Sequence, residues 1–280
     1  MKIKHSLLAF AVVALAINLN SCKKADTASV DELETTFELS GDQAVADNFT
    51  EDANDVFMEV AVDNNLAGNF APEPIQSNNI IACATVTITP ASGFPKTIVI
   101  DFGTSCTHRG IIRSGKINIV ISDSVRRNGS TAVMTFTNYY VNFHKVEGTI
   151  TWTNTSTPNT RSWTRLTEQG KITAPSGRYW LHSGLRAVVQ TAGVSTPFNL
   201  LDDVFSITGN HTVTNAAGAT REITVLEALQ KKTACANIDK GKLKVQGPNH
   251  YAVIDFGDGT CDNLATISID GRPARTIILR

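Results

Sequence analysis

"AVMTFTNYYVNFHK", Ala132 to Lys145, decides the fold class. Ala132, Met134 and Phe136 alternate with Val133, Thr135 and Thr137, and the stretch is rich in Thr, Val and aromatic residues. A period of two puts successive side chains on opposite faces of a strand, whereas a helix needs apolar residues three or four apart. The same texture fills the chain from Ile80 onward: "GKINIVIS", "GTITWTN", "GRYWLHSGLRAVVQT", "FSITGNHTVTN", "REITVLE", "LATISID" and "ARTIILR". Turn residues punctuate it at "RRNGS", "STPNT", "APSG" and "NAAG". About fourteen strands with short connections predict a mainly β protein, an antiparallel meander forming a sandwich or incomplete barrel.

One helix precedes the strands. Val45, Phe49, Ala53, Val56, Phe57 and Val60 recur at helical spacing, with Asp47, Glu51, Asp52, Asp55 and Glu59 mostly between them. Ser40-Gly41-Asp42-Gln43 has the spacing of a capping box, so the expected element is an amphipathic helix over about 42–62, its apolar face on the sheet.

The amino terminus reads as an export signal. Lys2 and Lys4 precede an apolar run from Leu7 to Leu19, too short to span a bilayer comfortably, and the run ends in Leu19-Asn20-Ser21-Cys22. That ending is similar to a bacterial lipobox, with Asn20 where a small residue is usual. The expected organisation is a signal peptide over 1–21, lipidation at Cys22, an acidic tether over 22–39, and a helix-plus-β body over 40–280.

Charge is unevenly spread. Asp26 to Asp63 contains twelve Asp/Glu and no Lys/Arg, whereas Asn64 to Arg280 contains fourteen Asp/Glu against twenty-one Lys/Arg. An acidic arm on a basic body implies a solvated linker, an arm that docks on the body, or a body suited to acidic partners. No nucleic-acid module is present, so no such partner is expected.

Beyond Cys22 there are four cysteines, and an internal repeat suggests their pairing. Ala82-Cys83-Ala84 matches Ala234-Cys235-Ala236, and Ile100-Asp101-Phe102-Gly103 matches Ile254-Asp255-Phe256-Gly257; Cys106 and Cys261 close the two copies. The midpoints of both segments fall on turns, Gly93-Phe94-Pro95 and Gly247-Pro248-Asn249. Cysteines centred on a turn are what two facing hairpin arms produce, so Cys83–Cys106 and Cys235–Cys261 are expected, within Cys-closed hairpins at 80–110 and 232–264.

The dense carboxylates of "VIDFGDGTCDN" (Val253–Asn263) suggest a calcium loop, but the spacing is not that of an EF-hand and the shorter copy lacks a counterpart of Asp258. Turn formation explains them without a metal. "DFGDGT" also resembles the signature of PKD-type β-sandwich modules, over six residues only. No zinc-spaced Cys/His cluster, G-x-S-x-G, H-E-x-x-H or phosphate-cradling glycine loop occurs. No catalytic residue, metal ligand or cofactor is therefore assigned. The carboxylates that a glycan-acting enzyme would draw on are few: Glu147, Glu168, Asp202, Asp203, Glu222 and Glu227.

Aromatic side chains are the remaining candidates for a ligand face: Tyr139, Tyr140, Trp152, Trp163, Tyr179 and Trp180. Adjacent Tyr139-Tyr140 and Tyr179-Trp180 must point to opposite faces, one of each pair into the core and the other outward.

The lipobox Ser-Cys, the acidic segment, the hairpin-rich body and the closing "IDFGDGTCDN…ISIDG" together resemble uncharacterised envelope lipoproteins of Bacteroidota. The resemblance implies an outer-membrane lipoprotein, periplasmic or surface-facing, and no activity. The expected role is a non-catalytic binding or structural module, held to the membrane through acylated Cys22, whose partner is a glycan, a lipid or an envelope protein. The alternatives are a lipid carrier, with a hollow under the helix, and a glycan-acting enzyme.

Overall fold

The computed structural model describes residues 21–67 and 75–279, with side chains from residue 30 onward. The signal segment before residue 21 and the side chain of Cys22 lie outside the described residues.

Helix α1 spans Ser21–Asp63. Strands β1 (Thr85–Thr89), β2 (Lys96–Asp101), β3 (Cys106–His108), β4 (Ile111–Ile121), β5 (Thr131–Val141), β6 (His144–Asn154) and β7 (Ser162–Thr173) follow. The second half holds β8 (Tyr179–Ala192), β9 (Val204–Asn215), β10 (Thr220–Lys232), β11 (Lys240–Gln246), β12 (Tyr251–Asp258), β13 (Leu264–Ile269) and β14 (Arg275–Ile278). They form one antiparallel sheet in which each strand pairs with its sequence neighbours, except that β2 pairs directly with β4, and β3 lies against β4 off that path. The sheet is not closed into a barrel; β1 and β14 are its two edges.

The sheet curls around α1. From Asp42 to Val62 every helical side chain except Val45 and Met58 is buried, as are the inward residues of strands from β2 to β13. This corrects the expected amphipathic helix, which was to cover the sheet with one face; α1 is enclosed on all sides. Two local readings change with it. Residues 22–39, read as a tether, continue the helix. Ser40 is mid-helical, its Oγ donating to the carbonyl of Thr36 at 2.6 Å, the back-bonding open to a hydroxyl inside a helix. Contacts with the sheet begin no later than Glu32, which accepts hydrogen bonds from the backbone and side chain of Asn249. At the other end, Asn65 takes φ +58° while Leu66 N bonds Ala61 O at 2.8 Å and Asn65 N bonds Val62 O at 3.2 Å. That is a Schellman stop with asparagine in the left-handed position.

Irregular pairing bends the sheet. Register slips fall between Ser114/Lys116, Thr135/Tyr139, Glu147/Thr149 and Thr167/Gly170, a line of bulges crossing β4 to β7. Bulges add twist and curvature. On β8 and β9 the line continues at two glycines, Gly184 (φ +152°) and Gly209 (φ +115°). A Cβ on Gly184 would lie 2.3 Å from Asn210 O, and one on Gly209 2.1 Å from Leu185 O, so no side chain fits at this crease.

Both expected disulfides are present, with Cα–Cα distances of 5.6 Å (Cys83–Cys106) and 5.2 Å (Cys235–Cys261). Each fastens the ends of a hairpin, β1–β2 or β11–β12, and the repeated Asp-Phe-Gly has one geometry in both copies. Gly103 N donates to Asp101 Oδ1 at 2.9 Å and Gly257 N to Asp255 Oδ1 at 3.0 Å, while Phe102 and Phe256 are both buried.

Candidate functional site

The most highly charged region of the interior is the seam between helix and sheet. Asp47, Glu51 and Asp55 stand one turn apart along α1 with Asp52 beside them, and in isolation such i,i+4 carboxylates repel. Here each meets a cation from an inward strand position. Arg186 (β8) donates to Asp47 Oδ1 at 2.9 Å; Arg165 (β7) forks onto Glu51, with Nη1 to Oε2 at 3.0 Å; Arg113 (β4) forks onto Asp52 at 2.6 and 2.9 Å; Lys231 (β10) donates to Asp55 at 2.7 Å. All eight side chains are at most 7% exposed. The acidic arm therefore docks within the basic body, one of the readings that the charge asymmetry left open.

Titration follows from these surroundings. Burial pushes the Asp55 carboxyl up to about 6, against the pull of Lys231. Burial would also raise Asp47, but the charge and hydrogen bond of Arg186 outweigh it and hold Asp47 below the usual carboxylate range. His182 and His211, whose rings lie 6.5 Å apart, are pushed down to about 4 and about 3, chiefly by burial, and are neutral at pH 7. The arrangement is an internal clamp: its charges are matched and closed off from solvent. The voids against the helix beside Phe49 and beside Asp52 measure only about 10 and 20 Å³, far below the several hundred Å³ of a ligand pocket.

The six candidate aromatics separate as their alternation required. Tyr139, Trp152, Trp163 and Trp180 are buried. Trp152 packs edge-on against Phe57 of the helix (5.9 Å between centroids) and against Trp163 (5.6 Å), which meets Phe205 (5.2 Å). Four of the six are thus core residues, a correction to their candidacy for a ligand face. Tyr140 and Tyr179 point outward, each half-buried. They share one row across four strands, because Tyr140 faces Lys145, Lys145 faces Thr173, and Thr173 faces Tyr179. Three strand spacings of about 4.8 Å separate the two tyrosines by roughly 14 Å. The Lys171 ammonium sits 4.6 Å above the Tyr179 ring.

The acidic stretch Val253–Asn263 lines an open surface hollow of about 510 Å³. Its carboxylates are occupied locally: Asp255 caps Gly257 N, Asp258 Oδ1 accepts from Thr260 N and Oγ1, and Asp262 Oδ1 accepts from Leu264 N. These are the turn bonds expected of Asp in such loops. Among the described residues, the one group with metal-like spacing is Cys235, Asp239 and Cys261. Its two sulfurs are bonded to each other and offer no thiolate.

A second hollow, of about 300 Å³, opens at the end of the sheet where the β4–β5, β6–β7 and β8–β9 loops meet, with Arg126, Arg161, Ser156 and Thr160 among its lining. No motif pointed to it, since its arginines are thirty-five residues apart in turn segments.

No protein-family model, curated protein or solved structure matches the chain.

Proposed function

We propose that this protein is a non-catalytic outer-membrane lipoprotein of the Bacteroidota envelope type, held by an acylated Cys22, whose β-body is a binding or structural module. The carrying observation is that the concave side of the sheet is filled by the chain's own helix, clamped by four buried ion pairs. A carrier needs a hollow for its cargo, and the two voids against the helix beside Phe49 and beside Asp52 hold one or two waters at most. Ligand contacts then fall on the outer surface. There the row Tyr140–Lys145–Thr173–Tyr179 offers two aromatic rings, an ammonium and a hydroxyl along a straight track, a composition suited to stacking and hydrogen-bonding a short oligosaccharide.

The test is a glycan and lipid binding screen on the protein carrying Cys22→Ser. Retention on a glycan, weakened at least tenfold by Tyr140→Ala, supports the module with this row as its face. Stoichiometric uptake of a lipid would overturn it in favour of a carrier. Failure to bind either class leaves a structural role.

A further inference from the structure

We infer that a hollow on the outer face of β8, β9 and β10 is a sugar subsite, which takes one ring of a neutral glycan whose neighbouring units lie on the tyrosine row. Its continuity with that row rests on the glycan reading above; the hollow itself stands on its own geometry.

The hollow measures about 380 Å³, within the size range of small-ligand sites. Two outward rows frame it, Ser183–Thr212–Glu222 and Leu185–Asn210–Thr224, each crossing β8, β9 and β10. Two strand spacings of about 4.8 Å and two residues at about 3.4 Å make the frame roughly 10 Å by 7 Å, the footprint of a single pyranose ring. Between the rows the floor is main chain, from Gly184, His211 and Ile223. The side chains of His211 and Ile223 are buried in the core, and no side chain fits at Gly184. The depression is therefore built by backbone.

Its polar groups are unengaged. Among the described residues no hydrogen bond or ion pair holds the side chains of Asn210, Glu222 or Thr224, and all three are exposed. The Ser183 and Thr212 hydroxyls bond each other at 3.1 Å and serve as a wall. Lys244, which faces Thr224 from β11, rests over the Tyr251 ring at 5.0 Å and makes no ion pair with Glu222.

That chemistry selects the class of ligand. An oxyanion would meet the Glu222 charge with no paired cation to relieve it. An acyl chain would strip water from an amide, a hydroxyl and a carboxylate and return no hydrogen bonds. Vicinal hydroxyls of a neutral sugar donate to the Glu222 oxygens, accept from Asn210 Nδ2 and exchange a bond with Thr224 Oγ1. Leu185, 48% exposed at the end of its row, meets the C–H face of the ring. Along β8 the outward positions Tyr179, Leu181 and Ser183 join the tyrosine row to the hollow over four residues, about 13 Å.

The experiment measures retention of the folded protein carrying Cys22→Ser on immobilised cello-, manno- and galacto-oligosaccharides, with dextran sulfate beside them. Glu222→Gln, Asn210→Ala and Tyr140→Ala are compared in parallel. Retention on at least one neutral oligosaccharide is expected, weakened at least tenfold by each of the three substitutions. Weakening by Tyr140→Ala alone overturns the hollow and leaves the tyrosine row. Weakening by Glu222→Gln and Asn210→Ala alone overturns the row and leaves the hollow. No retention on any neutral oligosaccharide, or stronger retention on dextran sulfate, overturns the hollow. If a hollow variant fails to fold, carbodiimide coupling to the unsubstituted protein replaces it. The retained oligosaccharide should then protect Glu222 and leave the exposed Glu34 reactive, and equal coupling at Glu222 with and without the sugar overturns the subsite.

Discussion

Replacing Arg165 by methionine tests whether the clamp is a set of matched charges rather than generic packing. The side chains of Arg165 and Glu51 are 1% and 4% exposed, so Arg165→Met leaves the Glu51 carboxylate desolvated with its cation gone. Orphaning one member of a buried pair costs about 3–5 kcal/mol, a large part of the roughly 5–15 kcal/mol that holds a typical domain together. Glu51→Met should cost a similar amount, because it strands the guanidinium. The double variant should recover most of the loss or exceed the parent, since apolar residues of like volume avoid the desolvation of both ions. Arg165 Nε has no acceptor among the described residues, which adds to the cost of keeping the arginine buried. Urea unfolding of the parent, both single variants and the double variant gives the coupling energy directly. A loss below 1 kcal/mol in Arg165→Met, or a double variant no more stable than the worse single, would refute the reasoning.

Gly209→Ala should lose more than 2 kcal/mol, because its Cβ meets Leu185 O at 2.1 Å; Gly103→Ala, at φ +62° with open space around it, should lose roughly 1–2 kcal/mol in the same unfolding assay. Non-reducing peptide mapping should recover Cys83–Cys106 and Cys235–Cys261 alone, and removing either bridge should lower stability by about 3 kcal/mol; an 83–235 linkage would contradict the hairpin staples. His182 is depressed to about 4 in the folded state against about 6.5 unfolded, so the unfolded chain binds the extra proton and stability falls as pH drops below about 6.5. Between pH 7 and pH 4 this group should contribute a loss on the order of 3 kcal/mol. The stability–pH curve of His182→Gln should be flatter by that amount, and parallel curves would show the imidazole to be solvated.

Period-two alternation was enough to place the strands, because outward threonines and inward aliphatics repeat from β4 to β13. The staples were legible because the same Asp-Phe-Gly turn recurs before each closing cysteine. The enclosure of the helix was not. Asp47, Glu51, Asp52 and Asp55 mimic a solvated face in any count of hydropathy, and only their partners on four separate strands reveal that the face is buried. The excess of acid in one segment and base in the other was the sole trace of this. The Ser40 capping box misled because tertiary enclosure keeps the helix going through it. Among the aromatics, alternation correctly divided each adjacent pair, but it does not say which member faces the core. The arginine hollow was invisible, since loops meet in space at positions that only the bend of the sheet determines.

The length of the helix has a mechanical consequence. From Cys22 to Glu32, where contacts with Asn249 are already made, is ten residues, or about 15 Å of helix at 1.5 Å per residue. With the lipid attached as proposed, tension from the membrane would run along a rod into the middle of the body. A pull along the helix axis would load the pairs on Arg186, Arg165, Arg113 and Lys231 together rather than one at a time. The same charges that make the interior costly to bury would then act as the ratchet that keeps the body seated on its anchor.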